Sequence, residues 1–214
     1  MLEGELPLEL VRDEVRQVLH EAYPDMFPTG QTGTSVGDLA FKMLELDIQI
    51  ASSQYVCMKC GIASASKWDR RFGHKLDADS GTPYSIVKWI AELETKTRKK
   101  CSDCSCNMVK QVSYKEIPKL LVFEYPKLDI TTDHQIKLQS DNGESHMLYL
   151  RGIVYHGQDH FVSRIITPEG NMWFHDGITT GKHCINDGHL DVTNSKTLRS
   201  CQGKILVLAV YAGE

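Results

Sequence analysis

Four cysteines stand in two matching pairs, Cys57-Met-Lys-Cys60 and Cys101-Ser-Asp-Cys104, with 40 residues between the pairs. A CxxC turn lets both sulfurs reach one ion, and two such turns supply the four soft thiolates that a tetrahedral structural zinc takes. The spacing therefore predicts a Zn2+ site with Cys57, Cys60, Cys101 and Cys104 as ligands. Cys106 makes the second pair CxxCxC, so it either replaces Cys104 or stands by as a spare. With four protein ligands no position is left for water, and the metal is expected to be structural rather than catalytic. The bland alternative is four reduced thiols in a site without metal.

A second constellation lies downstream. From Leu150 to Asp176 the chain reads strand, tight turn, strand, turn, strand, and carries Tyr155-His-Gly, Asp159-His-Phe and Trp173-Phe-His-Asp176. In such a meander His160 and Asp176 can face each other on neighbouring strands although they are 16 positions apart. A carboxylate that accepts from one ring nitrogen leaves the other to act as a base toward a thiol or hydroxyl. His20, His74, His134, His183 and His189 are read as surface or core residues. Cys184 and Cys201 follow His160 in the chain and are read as a loop thiol and a small apolar residue beside the last strand, although triads recur in several chain orders.

Helices and strands must position these groups. Leu8, Val11, Val15, Val18, Leu19 and Ala22 recur at helical spacing, with Pro7 suited to a first turn and Pro24 beyond the end. After Pro28, Gly30 and Gly33, Ser35 with Asp38 opens a second helix in the manner of a capping box. A third helical pattern (Ile86, Val87, Ile90, Leu93) follows Thr82-Pro83. From Ile117 onward the texture is that of short strands: 120–125, 147–155, 160–167 and 205–211, with Gly143, Pro168-Glu-Gly170 and Gly203 as turns.

Composition removes several function classes. The 214 residues hold 24 Lys and Arg against 28 Asp and Glu, a net charge of -4, with a pI near 6.1. Phosphate-backbone binding usually needs a basic excess, so nucleic acid is an unlikely main partner. The run Thr97-Arg-Lys-Lys100 reads as a solvated helix end, where cations suit the dipole. The longest apolar run, Ile205–Val210, is far short of a membrane span of about 20 residues, so no membrane association is expected. Glu3 and Glu5 stand where a secretory signal would be basic. Seven cysteines, four in metal-ligand spacing, suit a reducing compartment, and the expected location is cytoplasmic or nuclear.

The order of these features carries a resemblance. A helical unit, CxxC with a second CxxC some 40 residues on, Pro118-Lys-Leu-Leu-Val122, Tyr155-His-Gly, Asp159-His-Phe and Trp173-Phe-His-Asp176 together resemble the ubiquitin-specific protease family of papain-like cysteine hydrolases. The resemblance spans residues 8–212. It implies an α+β, papain-like ubiquitin-specific protease fold: a partial helical thumb over 1–53, zinc-ribbon fingers over 54–116, and an antiparallel β palm over 117–214. Gly30-Gln31 and Ser35 to Leu39 resemble the family's thumb segment. By the same resemblance His160 is the catalytic histidine, Asp176 the third member of the triad, and ubiquitin or a ubiquitin-like protein the partner.

Three departures bear on activity. The family's nucleophile box, of Gly-Asn-Thr-Cys-Tyr character, precedes the thumb helices, whereas the first cysteine here is Cys57; the oxyanion-stabilising amide just ahead of that nucleophile is absent with it. Asp159 stands where the family usually has Gly. The turn between His156 and His160 is short, so the loop over the substrate tail is expected to be reduced. The chain by itself is thus expected to be an inactive deubiquitinase-like domain; the alternatives are a ubiquitin-binding scaffold module and a zinc-ribbon nucleic-acid module.

Overall fold

The computed structural model describes residues 8–30, 34–45, 50–69, 73–76, 85–91, 95–125 and 131–213. Pro7, Gln31, Gly33, Thr82-Pro83 and Leu93, which entered the sequence expectations, lie outside them. Three helices form where apolar spacing and caps direct: α1 (Leu8–Ala22), α2 (Val36–Met43) and α3 (Ile86–Ala91). Ser35 caps α2 by accepting the Asp38 N–H on its hydroxyl at 3.2 Å.

Thirteen strands lie among the described residues: β1 (Ala51–Val56), β2 (Lys67–Asp69), β3 (Gly73–Lys75), β4 (Thr95–Lys100), β5 (Asn107–Tyr114), β6 (Leu120–Glu124), β7 (Gln135–Gln139), β8 (Ser145–Gly157), β9 (His160–Ile166), β10 (Asn171–His175), β11 (Ile185–His189), β12 (Ser200–Cys201) and β13 (Lys204–Ala212). They make two sheets. The smaller is antiparallel in the order β2-β1-β5-β4. The basic run expected at a helix end is therefore edge strand β4, where Thr97 Oγ1 donates to the Met108 carbonyl at 2.9 Å. A threonine-rich run stiff at χ1 suits a strand better than a helix terminus.

The larger sheet runs β11-β10-β9-β8-β13-β6-β3, with β7 on the first half of β8 and β12 on β13. It departs from the expected all-antiparallel palm in one pair: β3 lies parallel to β6, Gly73 opposite Val122. Gly73 sits against the ring of Phe41 on α2, where a Cβ would collide, so the close approach of helix and strand requires glycine here.

One face of this sheet holds the core. On β8, β9 and β10 Ile153, Tyr155, Val162, Ile166, Met172 and Phe174 are buried, while Phe161 and Ile165 are exposed and Trp173 is borderline. Since side chains alternate along a strand, His160 and Asp176 fall in step with the buried set, at its end. The smaller sheet is anchored at its base, where Ala51 pairs with Tyr114 in the main core. Its far end buries Cys57, Cys101 and Met108.

Candidate functional site

Two equivalent turns build the cysteine cluster. In the first, the Cys57 N–H donates to the Ile62 carbonyl (2.8 Å) and the Gly61 N–H to the Cys57 carbonyl (2.8 Å); in the second, the Cys101 N–H donates to Cys106 (2.9 Å) and the Ser105 N–H to Cys101 (3.1 Å). Gly61 and Ser105 both take the left-handed conformation, φ 74° and 53°. Superposing the turns puts Cys106 at the position of Ile62, outside the ligand pair. The sulfurs of Cys57, Cys60, Cys101 and Cys104 all lie within 4.8 Å of one another, which decides between Cys104 and Cys106 in favour of Cys104.

The spacing fits zinc. Tetrahedral ligands at a Zn–S distance of about 2.3 Å sit ~3.8 Å apart, and here Cys57–Cys104 and Cys60–Cys101 are 3.4 Å apart and Cys60–Cys104 3.7 Å. Backbone N–H groups of Cys60 and Lys59 lower the Cys57 thiol to about 6. At Cys104 the Cys106 N–H also favours the thiolate, but Cys57 and burial outweigh it and hold the thiol up at about 12. Four thiolates this close repel one another unless a cation sits among them, and these four side chains could hold a structural zinc.

The structure brings His160 and Asp176 together across β9 and the loop after β10. The two-residue turn Gln158-Asp159 joins β8 to β9 with both residues left-handed, φ 55° and 54°, and pairs Gly157 with His160. Such primed turns match strand twist but favour Asn-Gly, so a glycine at position 159 would be the less strained choice. His160 Nε2 lies 2.7 Å from Asp176 Oδ1, with side chains 26% and 4% exposed. Oδ1 also accepts the Ile178 N–H at 2.8 Å and the Thr179 N–H at 3.4 Å. Burial alone would raise the Asp176 carboxyl; the Ile178 N–H, His160 and Thr179 outweigh it and hold the carboxyl well below the usual range. An ionised Asp176 makes Nε2 the protonated ring atom, which leaves the Nδ1 lone pair to take up a proton.

Thr180 is the residue that sequence reasoning missed. Its hydroxyl accepts the Asp176 N–H (3.1 Å) and donates to the Asp176 carbonyl (2.8 Å), fastening the loop that aims the carboxylate. The run Asp176-Gly-Ile-Thr-Thr180 carried that signal, since Asp and Thr side chains commonly close such turns on their own backbone. Among the described residues no thiol is hydrogen-bonded to the His160 ring. Cys184 is exposed, and Cys201 is buried beside Arg164, with burial raising its thiol.

On the opposite face of β8 and β9 lies an apolar groove of about 960 Å³. Val15 and Leu19 of α1, Phe27, Leu39 of α2, Val154 and Phe161 line it. Phe161, the neighbour of His160, is 40% exposed there.

No protein-family profile matches the chain, and no curated protein does. Solved structures share the fold. The yeast SAGA deubiquitinating module with a mutant Sgf73 is 14% identical, with a TM-score of 0.56 over 96% of this chain and 49% of that one. The SAGA module of Ubp8, Sgf11, Sus1 and Sgf73 bound to monoubiquitin is 13% identical, TM-score 0.54, over 98% and 49%. The same module bound to ubiquitin aldehyde is 13% identical, TM-score 0.53, over 98% and 50%. The chain thus spans about half the length of these solved chains and shares with them a sheet-rich, ubiquitin-specific-protease-like architecture. No helix among the described residues is long and apolar enough to cross a membrane.

Proposed function

We propose that this chain is a ubiquitin-specific-protease-like domain that receives ubiquitin or a ubiquitin-like protein and supplies the base half of a thiol hydrolase. The observation that carries the reading is the His160–Asp176 pair at 2.7 Å, its carboxylate ionised and Nδ1 left to accept a proton. The first cysteine of the sequence is Cys57, a candidate zinc ligand, so in this reading the thiol comes from a segment outside these residues. The apolar groove walled by Phe161 offers an apolar helix a seat across β9 from His160.

In the complete reaction the thiol gives its proton to His160 Nδ1, and the thiolate attacks the carbonyl carbon of ubiquitin's C-terminal glycine. The imidazolium returns the proton to the departing amine, and water then releases the thioester with His160 again as base. Asp176 holds the ring in the Nε2–H tautomer throughout. Zinc, held by Cys57, Cys60, Cys101 and Cys104, would tie the ends of the finger strands without touching the reaction. Free thiolates of this kind suit a cytoplasmic or nuclear compartment.

A second reading, a ubiquitin-binding module without turnover, is favoured by the short turn bearing Asp159 at the lip of the site. Titration with ubiquitin, followed by a fluorogenic ubiquitin amide assay, separates the two. The isolated chain should bind ubiquitin and leave the amide intact. Supplying a Cys-box segment in cis should then produce turnover that His160→Ala abolishes; binding without such rescue selects the second reading, and the lack of saturable binding defeats both.

A further inference from the structure

Charge is distributed unevenly along this chain. Residues 51–69 and 95–114, which form the smaller sheet and its two CxxC turns, hold seven Lys and Arg against Asp69 and Asp103, a balance of +5. The other 175 residues hold 17 basic against 26 acidic side chains, a balance of -9. A zinc bound by four thiolates would carry -2 overall, which Lys59 within the first turn and Lys100 just before the second offset, and about +3 remains after that.

The register gathers three of the five remaining cations on one face, which also carries Asp69 at its core end opposite Ala51. Lys67 stands opposite Ser53, Ser53 opposite Val112, and Tyr55 opposite Lys110; opposed residues share a face, as do residues two apart on one strand. Lys67, Tyr55 and Lys110 therefore project together. Lys99 joins them, with Nζ 4.1 Å from the centroid of the Tyr55 ring. On the reverse face Ser52 meets Ser113 at 3.1 Å and Gln54 meets Gln111 at 3.4 Å, and Lys96 stands there opposite Val109. Lysines on edge strands commonly deter edge-to-edge pairing, which accounts for β2 and β4 but not for Lys110 on inner strand β5.

We propose that this lysine face docks a short carboxylate-rich polypeptide segment. A nucleic acid fits less well for two reasons. Of the aromatic rings on the face, Tyr114 is buried and Tyr55 is covered by the Lys99 ammonium, so neither offers a platform for base stacking, and a long polyanion would run past the sheet into the field of the -9 remainder. A short acidic segment touches only the basic face. The inference does not depend on the hydrolase chemistry, because the four residues lie on the smaller sheet and His160 and Asp176 on the larger.

Fluorescence anisotropy of the full zinc-loaded chain tests it, with a labelled Glu-rich peptide, a Gln/Ser peptide of equal length and a single-stranded oligonucleotide as probes. The acidic peptide should bind at least about tenfold more tightly than the neutral one, with affinity falling as salt rises. Combining Lys67→Glu, Lys99→Glu and Lys110→Glu should erase that preference, whereas Lys137→Glu, the same charge change on exposed β7, should keep it. Zinc content and near-ultraviolet circular dichroism check that the triple variant is folded; if it is not, the corresponding Lys→Gln triple decides, and it should weaken the acidic peptide several-fold. Equal binding of the two peptides, an unchanged preference in the folded triple variant, or tighter binding of the oligonucleotide overturns the proposal.

Discussion

Strands β5 and β8 are each paired along both edges, yet they bury different things. Along β8 Leu148, Leu150, Ile153 and Tyr155 are all buried in the main core. Along β5 only Met108 and Tyr114 are, one at each end, and the middle pairs Gln111 with Gln54 and Val112 with Ser53. A sheet with polar residues on both faces lacks the apolar area that normally offsets chain entropy. The smaller sheet is instead held at its two ends, by the main core at Ala51 and Tyr114 and by the cysteine cluster at Cys57 and Cys101. One sheet rests on an apolar core of its own, and the other has a candidate metal cluster in that place.

Removing a ligand is the strongest way to break that contrast. Cys57→Ser should forfeit most of a zinc-binding free energy on the order of 10 kcal/mol. Hydrogen exchange should then speed up in β1 and β5 while β8 and β13 keep their protection; equal loss of protection in both sheets would refute the division. Phe123→Ala is the converse. The ring is fully buried between Trp89, His74 and Tyr211, and its loss should cost about 3–5 kcal/mol, read as a lower melting temperature with one zinc per chain retained.

Asp176→Asn sharpens the contrast through pH. Because the folded carboxyl sits below its ordinary value, the stability it contributes is complete above the unfolded carboxylate range, near pH 4, and disappears as pH falls through the lower folded value. Wild type should thus exceed the variant in urea melts at pH 6, and the gap should close toward strong acid; a gap independent of pH would mean that Asp176 is not held as a carboxylate. The smallest effects come from the left-handed residues. Ser105→Gly and Asp159→Gly should each stabilise by roughly 1 kcal/mol or less, the first only with zinc bound and the second regardless of metal, as thermal melts with and without chelator would read.

Much of the palm was legible because its strands alternate over a core. The stretches 120–125, 147–155, 160–167 and 205–211 correspond to β6, β8, β9 and β13. Strands β1, β4 and β5 were not, since Ala51-Ser-Ser-Gln-Tyr-Val56 and the lysine run of β4 show no apolar period, and what makes them strands is pairing with each other and anchorage at both ends. The parallel strand β3 is three residues long and escapes any periodicity test.

The site divides in the same way. Cysteine spacing alone determined the metal-ligand candidates, because a CxxC turn is local and brings its own two sulfurs together whatever surrounds it. It did not choose between Cys104 and Cys106; that required the second turn to close with Cys106 in the ladder position. Residue types and order made His160 and Asp176 candidates for a pair. Only tertiary structure set them 2.7 Å apart, lodged the carboxylate among the Ile178 and Thr179 N–H groups and fastened it through Thr180, because the distance between residues on different strands depends on register, turn conformation and burial, which no local pattern encodes.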